Sequence, residues 1–258
     1  MPQNHSPFVI VERQQQWLEV ILNRPESFNA LSKEMMSELH QAIAMANQTS
    51  DISCIIIKAI GKAFCAGHDI KQMQSNATQE HYHALFKQCS QLMQSIVECK
   101  IPVIAQVQGL ATAAGCQLVA SCDLAIAADT SKFGVSGINL GLFCSTPAVA
   151  LSRTIQPKHA MEMLLTGDFI DASRAETLGL INKAVAEDEL TDSTRALATK
   201  LSEKTPAAIR TGKAMFYPQL QMPLEKAYAF ASQHMADNLK DSATQNGLNA
   251  FAFKKTKV

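Results

Sequence analysis

Two segments carry residues whose types and spacing suit chemistry. One is Phe64-Cys65-Ala66-Gly67-His68-Asp69-Ile70, and the other runs from Gly109-Leu110-Ala111-Thr112-Ala113-Ala114-Gly115 through Cys116-Gln117 to Asp123. The apolar run Val103, Ile104, Ala105 and Val107 before the second segment predicts a strand that turns into a small-residue helix. A helix start leaves N–H groups without intrahelical acceptors, and its dipole favours negative charge. Gly109, Ala111, Ala113, Ala114 and Gly115 are small enough for a ligand to approach the backbone, and Gly67 gives backbone freedom before His68. Either segment alone reads as close packing. Together, about 45 residues apart and each after a predicted strand, they point to two backbone donors for an oxygen that gains negative charge. Each such donor is worth a few kcal/mol in a dry site.

Other chemistry-bearing residues read more plainly. His81-Tyr82-His83 places two histidines at i and i+2, which do not share a helix face, so a solvent-exposed helix start is expected rather than a metal site. Cys144 has no evident base beside it and reads as a packed thiol. Asp123 is expected to cap a turn, and the methionines between 35 and 45 to fill core or an interface between copies. The seven cysteines make an odd count without a CxxC, which argues for reduced thiols and against a zinc site or disulfide framework.

Positioning these residues calls for a sizeable scaffold. The 258 residues are 47% hydrophobic and 18% charged with zero formal net charge, enough for a large core and low enough in charge to suggest that further surface is buried between copies. No basic face clusters as nucleic-acid binding would need. No apolar run reaches membrane-spanning length, and neither a signal peptide nor an Arg-rich presequence is visible. A cytoplasmic bacterial setting is therefore expected, with mitochondria the alternative for a eukaryotic chain. Period-two patterns predict a hairpin over 8–12 and 17–22, and further strands over 54–60, 102–107, 124–128 and 132–135. Helical spacing marks 32–47 and 79–98, which implies parallel pairing with crossover helices. From about 146 the chain is mostly helical, with Gly167 and Gly179 after helix ends and helices over 188–203, 207–216, 223–238 and 242–253. A core over 1–195 and a helical module over 196–258 are expected.

The two donor segments resemble the oxyanion-hole segments of the enoyl-CoA hydratase/isomerase (crotonase) superfamily. Asn23-Arg24-Pro25, Ile101-Pro102-Val103-Ile104-Ala105, Ser121-Cys122-Asp123 and Thr166-Gly167 followed by Ala172, Ala175, Gly179 and Leu180 extend the likeness over nearly the whole chain. Cys65-Ala66-Gly67-His68-Asp69, Ala113 to Asp123 and Gly141-Leu142-Phe143-Cys144-Ser145-Thr146-Pro147 are most similar to the branch of enoyl-CoA hydratase domain-containing protein 3. The resemblance implies an α/β fold, a spiral of repeated ββα units with a C-terminal helical trimerisation module, as a homotrimer or dimer of trimers. It implies an acyl-CoA thioester as substrate, no separate cofactor and no metal, and lyase or isomerase chemistry of lipid metabolism. The oxyanion donors would be the N–H groups of His68 and Ala114. Coenzyme A and acyl contacts would come from Asn29, Ala30, Leu31, Ala66, His68, Asp69, Ile70, Lys71, Gly115, Cys144, Ser145, Phe253 and Lys254.

The resemblance also marks a departure. Hydratases of the superfamily carry glutamates where this chain has Gln117 and Gly137. Adding water to a 2-enoyl thioester needs a base and an acid; an amide has no titratable proton, and glycine has no side chain. Three outcomes stay open: an enolate-stabilising enzyme with degenerate acid/base residues, a non-catalytic acyl-CoA-binding or regulatory protein, and a decarboxylase-like enzyme that uses His68. The Ala66–Ile70 string matches decarboxylases of the superfamily, in which loss of carboxyl forms the enolate without a base.

Overall fold

A computed structural model describes residues 7–252. Among these lie ten strands: β1 (Val9–Gln14), β2 (Trp17–Leu22), β3 (Cys54–Ala59), β4 (Ala63–Cys65), β5 (Val103–Val107), β6 (Leu110–Thr112), β7 (Leu124–Ala128), β8 (Lys132–Gly134), β9 (Ile170–Asp171) and β10 (Lys183–Val185). Six form one sheet in the order β1-β2-β3-β5-β7-β10, antiparallel in the first hairpin and parallel thereafter. A smaller sheet runs β4-β6-β8-β9, parallel except at its last pair. Each of β3, β5 and β7 in the large sheet is followed by a short partner in the small one, and a helix then returns the chain. This is the ββα repeat expected from the resemblance.

The first helices are α1 (Lys33–Gln48), α2 (Ile70–Gln74), α3 (Gln79–Glu98) and α4 (Ala114–Ser121). Ser32, Asp69 and Thr78 cap α1, α2 and α3 by accepting from the N–H three residues on. Met35, Met36, Leu39 and Ile43 of α1 and Leu85, Cys89, Leu92, Met93 and Ile96 of α3 repeat at helical spacing and are buried in one core, α1 against β1 and β2 and α3 against α1 and α4. Met45 is half exposed. α5 (Ser145–Thr154), α6 (Pro157–Thr166) and α7 (Ala172–Leu178) cover the small sheet's end, and Gly167 and Gly179 close α6 and α7 in left-handed conformations.

Four more helices complete the described residues: α8 (Leu190–Ser202), α9 (Pro206–Gln219), α10 (Leu224–Asn238) and α11 (Ser242–Ala252). α8 spans residue 195 and lies on the large sheet, with Ala198 buried beside Trp17, Cys54 and Ile56. Its Arg195 reaches Glu19, a carboxylate only 1% exposed in β2 that also pairs with Lys58. Burial pushes the Glu19 carboxyl up, but Arg195 and Lys58 outweigh it and hold it below the usual value. α9 is tied to the core by Lys213, whose ammonium donates to the carbonyls of Ile96 and Ile101 at 3.0 Å and to Asp123 at 2.5 Å. Tyr217 donates to the other Asp123 oxygen at 2.7 Å, and that residue's carboxylate also accepts the Val103 N–H at 2.7 Å. Asp123 is therefore an ion-pair hub that joins strand, helix end and C-terminal helix, rather than a simple turn cap. No helix among the described residues is long and apolar enough to cross a membrane.

Candidate active site

The two sequence segments meet at the start of α4. Gly67 has a φ of +94°, and a Cβ there would lie 2.9 Å from the Ala113 Cβ and 3.3 Å from the Ala114 nitrogen. Only glycine permits both this backbone and this approach. A Cβ at Gly115 would overlap the Cys65 carbonyl and lie 2.9 Å from the Cys65 Cβ, so α4 starts in backbone contact with the end of β4.

Local backbone geometry leaves two N–H groups free at this junction. Ala113, the residue before α4, adopts φ 49° and ψ −118°, a conformation that costs a residue with a Cβ on the order of 1–3 kcal/mol. Its own N–H donates to the Gly134 carbonyl at 2.9 Å. The strained step turns Ala114 into the first helical position, where its N–H has no intrahelical acceptor. His68 forms an isolated parallel bridge with Leu31: the Leu31 N–H donates to the Gly67 carbonyl at 2.7 Å and the Asp69 N–H to the Leu31 carbonyl at 3.3 Å. In such a bridge the central residue's own N–H points away from its partner. Among the described residues, neither the His68 nor the Ala114 N–H donates to a protein acceptor.

The His68 ring lies edge-on to Phe86, with ring centroids 5.4 Å apart, and its two nitrogens are buried without a hydrogen-bond partner although the residue as a whole is only partly buried. Burial pushes its pKa down to about 4, so the ring is neutral at physiological pH. Because the unfolded chain takes up a proton near pH 6.5, the stability tied to this neutral ring is complete above that pH and is lost as pH falls toward 4. The full effect is about 3 kcal/mol. Urea midpoints measured from pH 7 to pH 4 should fall more steeply for the wild type than for His68→Gln. Parallel curves would rule out a buried neutral ring.

Gln117 is buried one turn into α4 with its Oε1 unpartnered. Gly137 lies in a 3₁₀ turn over Ser136–Leu140, where a Cβ would meet the Leu142 carbonyl oxygen at 2.6 Å and the Cys144 Sγ at 2.7 Å. No side chain fits there unless that turn moves. The Cys144 thiol is buried, and burial pushes its pKa up, in keeping with a packed thiol. Ser145 is exposed, its hydroxyl donating to the Phe143 carbonyl at 3.4 Å.

The remaining candidates divide. Asn29 is fully buried, its amide donating to the Ile60 and Ala63 carbonyls at 2.9 and 2.8 Å and its Oδ1 accepting the Arg24 N–H. Its side chain is thus spent on the scaffold. Ala30 and Leu31 are buried beside it, Ala66 is partly exposed, and Ile70 and Lys71 are exposed at the start of α2. Asp69 caps α2 and pairs with Arg24. Phe253 and Lys254 lie outside the described residues. His81 differs from the expected exposed position: its Nδ1 lies 3.3 Å from the Lys33 ammonium and its Nε2 is buried, whereas His83 is exposed. Among the described residues no three His, Cys, Asp or Glu side chains converge as a metal site would need.

A two-sheet ββα spiral of this kind defines a crotonase-type fold. The family model for enoyl-CoA hydratase/isomerase matches residues 12–258, and the chain belongs to that family. It is 43% identical over 254 residues to mouse enoyl-CoA hydratase domain-containing protein 3, mitochondrial, covering 98% of this chain and 85% of the relative. The human counterpart is 44% identical over 239 residues, with 93% and 79% covered. A crystal structure of an enoyl-CoA hydratase from Mycobacterium smegmatis superposes with a TM-score of 0.95 at 46% identity, covering 96% of this chain and 97% of the other. The human domain-containing protein 3 crystal structure gives 0.93 at 41% identity, covering 97% and 99%.

Proposed function

We propose that this chain is an acyl-CoA enzyme that holds the thioester carbonyl between the His68 and Ala114 N–H groups and stabilises the enolate formed there. What supports the reading is the close approach of Gly67, the neighbour of His68, to the Ala114 nitrogen, with both N–H groups lacking a protein acceptor among the described residues and Ala113 strained beside them. Coenzyme A enters as part of the substrate, and the reading uses no resident cofactor or metal.

Gln117 and Gly137 limit the steps open to that enolate. Neither supplies a proton or removes one, and the His68 ring is too weakly basic to deprotonate water at neutral pH. Ordinary hydration is therefore slow or absent. Reactions that form the enolate without a base remain within reach: loss of an α-carboxylate as carbon dioxide leaves its electron pair on the enolate, and water then protonates the α-carbon. A second reading, acyl-CoA binding without turnover, is favoured by the blocked space at Gly137. The apolar side chains of Leu224, Tyr228, Met235 and Phe251 stand exposed on the C-terminal helices, which supports covering by other copies in a trimer or dimer of trimers. The seven thiols, all unpaired, suit a reducing compartment such as a bacterial cytoplasm.

Mass spectrometry with crotonyl-CoA, a longer 2-enoyl-CoA, methylmalonyl-CoA and a saturated acyl-CoA tests the reading. The expected result is binding of every thioester, carbon dioxide loss from methylmalonyl-CoA and little water added to crotonyl-CoA. Fast hydration would overturn the assignment of Gln117 and Gly137. Binding with no product from any thioester would favour the second reading.

A further inference from the structure

We propose that Arg24 and Asp69 are positioning residues that clamp the His68 N–H in its aim, an inference that rests on the oxyanion reading above. The Leu31 bridge holds the donor on one side through two main-chain hydrogen bonds, at 2.7 and 3.3 Å, and a third runs from the Ala66 N–H to the Phe28 carbonyl at 3.0 Å. Leu31 itself comes shortly after Phe28 and Asn29, whose φ values of 49° and 55° put two consecutive non-glycine residues in the left-handed region. Such a turn keeps its shape only if its surroundings over-determine it.

Arg24 supplies that constraint. Its N–H donates to Asn29 Oδ1 at 2.8 Å, and its guanidinium reaches the Ala30 carbonyl at 3.5 Å and Asp69 Oδ2 at 2.7 Å. The other Asp69 oxygen accepts the Gln72 N–H at 3.1 Å and starts α2. One carboxylate thus fixes the chain just after His68 and locks it to the turn that carries Leu31. The side chains are 20% and 13% exposed, so water competes weakly for the pair. Burial pushes the Asp69 carboxyl up, but the Gln72 N–H and Arg24 outweigh it and keep it ionised. Arg24 also lies over the Phe8 ring at 5.6 Å, which restricts its swing.

Misaligned donors weaken an oxyanion far more than they weaken ground-state binding. Asp69→Asn keeps a good helix cap while removing the charge opposite Arg24. Arg24→Lys keeps a charge but loses the fixed planar nitrogen that serves both the Ala30 carbonyl and Asp69. Crotonyl-CoA labelled with carbon-13 at the thioester carbonyl reports donor alignment through its infrared stretch when bound. The wild type should show a red shift. Both variants should bind crotonyl-CoA within about threefold of the wild-type Kd, lose at least half of that shift, and decarboxylate methylmalonyl-CoA about tenfold more slowly. A full red shift in both variants overturns the clamp. A wild type with no red shift removes the oxyanion reading itself, and the clamp with it. If Asp69→Asn does not fold, the Arg24→Lys shift decides alone.

Discussion

Ala114→Pro is expected to reduce enolate-dependent turnover by about 10²–10³-fold, with a smaller loss of thioester affinity. Proline removes one N–H of the proposed pair and puts its ring Cδ where that hydrogen pointed, so the thioester carbonyl loses both a donor and part of its space. It is tolerated at the first helical position, where that N–H makes no intrahelical bond. The loss falls on turnover because an N–H matters most where negative charge develops, and the ground-state carbonyl carries little of it. The measurement is kcat and KM on whichever thioester the mass-spectrometric panel shows to react, with circular dichroism and a melting curve to confirm the fold. The strained Ala113 makes that control necessary, since a residue before proline prefers extended backbone. Unaltered turnover in a folded variant would remove Ala114 from the site.

The second large effect is on stability. Asp123→Ala is expected to cost about 3–5 kcal/mol, roughly 10 °C in melting temperature for a chain of this size. The substitution leaves the Lys213 ammonium, 7% exposed, with only two carbonyls, and it strips the Val103 N–H and the Tyr217 hydroxyl of their acceptor. Replacing both charges, as Asp123→Leu with Lys213→Met, should recover much of the loss because no buried charge then stands alone. A loss under about 1 kcal/mol for Asp123→Ala would show that water reaches the ammonium and that the cluster matters little to the hold of α9 on the core.

The contrast between these two sites shows what the sequence discloses. The α3 helix over Gln79–Glu98 and the β7 strand over Leu124–Ala128 were legible to the residue, since each carries its own periodicity and punctuation. The three-residue strands β4 and β6 were not, because so short a run has no period and exists only by pairing with its neighbour. The close approach of the two glycine- and alanine-rich segments was legible because such small residues at a strand-to-helix junction let backbones meet. What the sequence conceals is contact between distant residues. Lys213 meets Asp123 from 90 positions away, and Arg24 meets Asp69 from 45. The Ala113 conformation is hidden for a different reason: alanine carries no propensity for it, and only the surrounding fold enforces it.

The crowding around Gly137 has a consequence for any attempt to turn this scaffold into a hydratase. Glutamate at 117 is a one-residue change into a space that already holds an amide of the same size. Glutamate at 137 collides with a main-chain oxygen, which no neighbouring substitution trims away. The route back is therefore lopsided. One of its two steps lies open to a point mutation, and the other demands that the turn from Ser136 to Cys144 be re-routed first. A library that randomises side chains alone would stall halfway; one that also varies the length of that turn would not.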